Sequence, residues 1–94
     1  MIILMNTAMV ANEVVTWAVY RISDLLKVPP AAIHPNWYQN ERGKLDVEFS
    51  VEKDAAKGVT DKGIQVVVER VWSLEAKPML DERLAGVHQR RPYG

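Results

Sequence analysis

The chain has 94 residues, no cysteine, and twelve basic side chains against twelve acidic ones. A chain of this length buries roughly 60–65% of its unfolded surface around a single core. The lack of cysteine excludes a disulfide scaffold, a thiolate zinc site and a cysteine nucleophile; the charge balance removes any global field toward nucleic acid or an anionic membrane. Hydrophobic residues at 48% and charged residues at 26% are the proportions of a folded domain, not a disordered one.

In chain order, Met1 to Met5 is an apolar run that stops at Asn6 without a positive flank, too short for a signal-peptide core or a membrane span. It reads as a strand or a buried arm. Asn6 and Thr7 are good helix caps, and about Ala8 to Lys27 contains neither glycine nor proline. Val14, Ala18, Ile22 and Leu25 recur at helical spacing, with Val10, Val15, Trp17 and Leu26 widening the stripe, so one long amphipathic helix is expected here. Pro29-Pro30 ends it.

Residues 45–51 alternate strictly, with Leu45, Val47, Phe49 and Val51 on one side and Asp46, Glu48 and Ser50 on the other, which predicts a strand. The segment Asn40 to Lys44 carries a hairpin-turn signal with Gly43 at a left-handed position, and Trp37-Tyr38-Gln39 is expected to form the preceding strand. Lys53 to Gly63 reads as a long loop that could hold a helical turn at Asp54 to Gly58. The β-branched run Ile64 to Leu74 predicts a third strand, with Ile64, Val66, Val68, Trp72 and Leu74 in phase and a bulge near Arg70. Pro78 would then open a short helix that Gly86 closes, and residues 87–94 read as a flexible tail. The expectation is a single α+β domain over residues 1–94: one long helix on a three- to four-stranded antiparallel sheet, a short C-terminal helix and a tail. Double-stranded-RNA-binding domains share this layout, but they read phosphates with a lysine cluster where this chain has Pro78-Met79-Leu80-Asp81-Glu82.

No stretch carries a catalytic, metal or phosphate-binding signature. Asp46 and Glu48 share a strand face, with Glu52 continuing it and Glu69 across from them; such carboxylates can hold a hard cation or divide acid and base roles, though a solvated face is the ordinary reading. His34 and His88 sit apart without a spaced acidic or cysteine partner, and Ser23, Ser50 and Ser73 lack a glycine-flanked elbow. Neither catalysis nor a metal or cofactor is therefore expected.

Trp37 and Tyr38 must point to opposite faces of a strand, and Val67 and Val71 would occupy the second face of the third one. With Met1 to Met5, that is more apolar surface than one helix covers. Arg90, Arg91 and Tyr93 place arginines beside an aromatic ring, a pairing that anchors protein interfaces. The leading expectation is a non-enzymatic, cytoplasmic interaction or self-assembly module, most simply a homodimer. Its contacts would be Trp37, Tyr38, Val67, Val71, Arg90, Arg91 and Tyr93, at an uncovered sheet face or edge. The alternative is a small nucleic-acid-binding accessory protein using Lys53, Lys57, Lys62, Arg90 and Arg91. No membrane is implied.

Overall fold

The computed structural model describes residues 7–89. Helix α1 (Thr7–Leu26) leads through a 3₁₀ turn (Pro30–Ala32) into strands β1 (Ile33–Gln39) and β2 (Leu45–Val51). Helix α2 (Asp61–Arg70) then continues through a π-helical segment (Val71–Ala76) into α3 (Lys77–Gln89). Among the described residues the result is a small mixed α+β domain with a two-stranded antiparallel sheet.

Helix α1 forms where the unbroken, glycine-free stretch predicts it, and Val10, Val14, Val15, Ala18, Ile22 and Leu26 make its buried stripe. Leu25 and Trp17 fall outside that stripe and remain exposed. The helix stops before the two prolines. Lys27 takes a left-handed φ of 60°, and Val28 N–H returns to Ser23 C=O at 3.2 Å, the six-to-one bond of a Schellman ending. The Ser23 hydroxyl donates to Val28 C=O at 2.6 Å and locks the same corner. Pro29 then keeps the chain extended.

The hairpin follows its turn chemistry. Gly43 has φ 75°, and Asn40 Oδ1 accepts from Arg42 N–H at 2.9 Å and Lys44 N–H at 3.1 Å. Strand β2 has the predicted bounds, while β1 begins four residues earlier than Trp37, at Ile33. Trp37 pairs with Val47 and Tyr38 with Asp46, so the two aromatics do face opposite ways. Lys53 to Gly58 forms turns, not a helical element.

The third strand does not exist: Ile64 to Leu74 is helical, and among the described residues the sheet has two strands, not three or four. Thr60 caps this helix by accepting Gly63 N–H at 3.0 Å. The apolar residues also satisfy a helical reading, since Ile64, Val67, Val68, Val71, Trp72, Ala76, Met79 and Leu80 recur every three or four positions and pack on the core. Val66 and Leu74, in phase on the predicted strand, are instead 55% and 71% exposed. Val71 lies fully buried and Val67 packs against the core, so neither occupies an uncovered sheet face. Pro78 opens no separate helix, and Gly86 closes none: the helical run from Asp61 passes through both to Gln89.

Helix α1 and this long helical run pack antiparallel. Arg21 Nε donates to Glu75 at 2.9 Å, and eight residues away Arg83 Nη1 donates to Glu13 at 3.2 Å. The core lies between the helix pair and the hairpin, where Val14, Ile22, Val47, Phe49 and Val71 meet. Met1 to Met5, the cap Asn6, and Arg90, Arg91 and Tyr93 lie outside the described residues.

Candidate functional site

The site starts from the backbone of β2. In an antiparallel pair, residues alternate between those bonded to the partner and those whose N–H and C=O point outward. Asn40 N–H donates to Lys44 C=O at 2.8 Å and Glu52 N–H to Ala32 C=O at 3.0 Å, which sets the even-numbered residues of β2 as the bonded ones. Val47, Phe49 and Val51 therefore present their backbone groups at the free edge. Pro35, opposite Phe49, loses nothing by lacking an N–H, because its nitrogen also points outward.

That free edge borders a groove of ≈ 490 Å³ closed on its other side by α2 and the π-helical segment. Val47, Phe49, Ile64, Val68 and Trp72 give it an apolar floor. Its rim carries four carboxylates, Asp46 and Glu48 from the hairpin and Asp61 and Glu69 from α2, and no lysine or arginine lines it. Asp61 is partly offset by Lys53 Nζ at 3.2 Å.

One end of the groove is held firmly. Trp72 is 7% exposed, tilts against Phe49 with ring centroids 5.6 Å apart, and donates its indole N–H to Asp46 Oδ1 at 3.0 Å. The same oxygen accepts Val47 N–H at 2.8 Å, so Asp46 blunts that outward amide and leaves those of Phe49 and Val51 open. Trp72 sits in the π-helical segment, a departure from α geometry that recurs at functional sites. Across the strand pair, desolvation and then the carboxylates of Asp46 and Glu48 raise the Tyr38 phenol above its ordinary pKa of 10.0.

The sequence-predicted residues divide. Asp46, Glu48, Glu69 and Tyr38 come together at the groove, whereas Glu52 leaves to pair with His34 Nε2 at 2.7 Å. Trp37 lies on the opposite face from Tyr38, half-exposed. Lys53, Lys57 and Lys62 are exposed along the loop and around the start of α2. Ile64, Val68 and Trp72, in phase on the strand that the sequence predicts, form a wall of the groove instead; their i, i+4, i+8 spacing is the signal for it. Among the described residues no three His, Asp or Glu side chains are grouped to hold a metal ion. Among the same residues no helix is long and apolar enough to cross a membrane. No protein-family model, curated protein or solved structure matches the chain, which leaves the groove's own chemistry to define what it can do.

Proposed function

We propose that this protein is a non-enzymatic interaction module that takes an extended, basic segment of a protein into the groove, adding a strand to the free edge of β2. The observation that carries the reading is an open strand edge beside an apolar floor whose rim holds four carboxylates and no lysine or arginine. Main-chain bonds to the outward groups of Phe49 and Val51 supply affinity, apolar side chains of the guest fill the space toward Val68 and Trp72, and basic side chains reach the rim.

The nucleic-acid reading draws less support. An acidic rim repels phosphate, and Lys53 is already engaged by Asp61. The test is a fluorescence-anisotropy titration of the full chain with labelled extended peptides alternating valine with lysine, with glutamate, or with serine. The lysine peptide should bind most tightly, and Glu48→Lys with Glu69→Lys should weaken it by about tenfold or more. Equal binding of all three peptides, or preference for a duplex oligonucleotide, refutes the proposal.

A further inference from the structure

The groove asks for a basic segment, and the chain carries one of its own. Arg90-Arg91-Pro92-Tyr93 follows α3 directly. Its two adjacent arginines complement a rim of four carboxylates, Asp46 and Glu48 from the hairpin and Asp61 and Glu69 from α2, which no lysine or arginine lines. We infer that the occupant of the groove is this arginine-rich arm from a second copy of the chain, an inference that rests on the proposed function above.

The reason for a second copy is distance. Glu69 and Gln89 are twenty residues apart in one continuous helical run, about 30 Å at the helical rise. Two extended residues add at most about 7 Å beyond Gln89, and an arginine side chain about as much again. With α3 intact, Arg91 cannot return to its own groove. A neighbour can supply it, because the arm leaves one end of the long helical run while the groove lies toward the other. Two chains side by side with these runs antiparallel bring each arm to the other's groove. That arrangement is two-fold and closed: both sites fill at once, and neither chain is left with a vacant groove or a free arm. A parallel, head-to-tail arrangement would leave one of each at its ends.

The test uses full-length chains and reversed charges. Wild type should sediment as a dimer across the micromolar range, whereas Arg90→Glu/Arg91→Glu and Glu48→Lys/Glu69→Lys should each sediment as monomers that still unfold in one cooperative transition, since Glu48 and Glu69 are exposed, with a melting temperature that no longer rises with protein concentration. Mixed in equal amounts, the two variants should recover the dimer, because each then offers the arm the other's groove accepts. A labelled peptide of residues 87–94 should bind the Arg90→Glu/Arg91→Glu chain, and at least about tenfold more weakly when Glu48→Lys/Glu69→Lys is added. A monomeric wild type, a dimer indifferent to either pair of reversals, or a mixture that stays monomeric overturns the inference. If the valine–lysine peptide binds and the arm peptide does not, the groove reading stands and this inference falls. If neither binds, both fall. An arm peptide that ignores the protein but binds duplex DNA also overturns it, in favour of a nucleic-acid partner.

Discussion

Truncating Trp72 and Leu74 separately distinguishes the helical run from the strand its composition suggests. On a strand, residues two apart share a face, so both truncations would be costly. In the helical segment Trp72 is 7% exposed and Leu74 71% exposed. Trp72→Ala removes a buried indole, worth about 3–5 kcal/mol with its cavity, and that includes a tilted ring pair with Phe49 worth about 0.5–1.5 kcal/mol. Trp72→Phe keeps most of the ring but deletes the hydrogen bond to Asp46; because that carboxylate is only partly buried, about 1 kcal/mol of stability goes with it. Leu74→Ala should fall within about 0.5 kcal/mol of wild type. Urea denaturation followed by circular dichroism, with comparable m-values throughout, gives all three figures. Equal losses for Trp72→Ala and Leu74→Ala refute the helical placement.

Four further outcomes follow from particular contacts. Val71→Lys puts a charge at a fully buried position and should abolish folding, seen as loss of the cooperative melt, whereas Val66→Lys at a half-exposed position should leave the melt intact. Thr60→Ala removes the cap on Gly63 N–H and should cost about 1 kcal/mol in urea denaturation. Lys27→Gly relieves a left-handed backbone and should raise stability by about 1 kcal/mol in the same assay. The Tyr38 phenol, raised by desolvation and by Asp46 and Glu48, should ionise above pH 10.0 in a Tyr38→Phe difference titration of tyrosinate absorbance, and Glu48→Gln should bring it back toward that value. Because the folded-state value is the higher one, the stability this group contributes is present below pH 10 and is lost as pH rises through the raised value.

The hairpin and α1 were legible because each carried one period without a competitor. Residues 45–51 alternate strictly, and the stretch from Thr7 has no breaker before Lys27. Ile64 to Leu74 carried two periods at once. Ile64, Val66 and Val68 fit a strand, while Ile64, Val67, Val68, Val71 and Trp72 fit a helix. Valine's β preference tipped the local reading, and tertiary packing on α1 decided the other way. The candidate site suffered from the same choice. Its acidic hairpin rim was visible in Asp46 and Glu48, but its far wall required α2 to be a helix, and an outward-facing edge cannot be located before the strand count is known.

The apolar spacing also bears on the π-helical segment. Val71 and Ala76 are both fully buried, yet residues five apart on an α-helix lie about 140° apart around the axis. They can share the buried line only if the turn between them is widened, and Lys77 N–H bonding back to Trp72 C=O, five residues earlier, is that widening. One extra residue inside the segment is its simplest description, and of its two exposed residues, Ser73 and Leu74, we take Leu74 as the candidate. Deleting Leu74 would turn the five-residue step into four, which an ordinary α-helix aligns to within about 40°. Pro78 would then sit inside a regular helix, where its ring clashes with the carbonyl four residues back, so the deletion belongs in a Pro78→Ala background. There, loss of Leu74 should cost less than about 1 kcal/mol. Loss of Glu69, also exposed but within α2, should cost several, because it swings Ile64, Val67 and Val68 about 100° off the line of Val71 and Trp72. Chemical denaturation of the two deletions against the Pro78→Ala parent measures the difference. If both deletions destabilise alike, the widened turn is not a one-residue insertion, and the buried alignment of Val71 with Ala76 must have another origin.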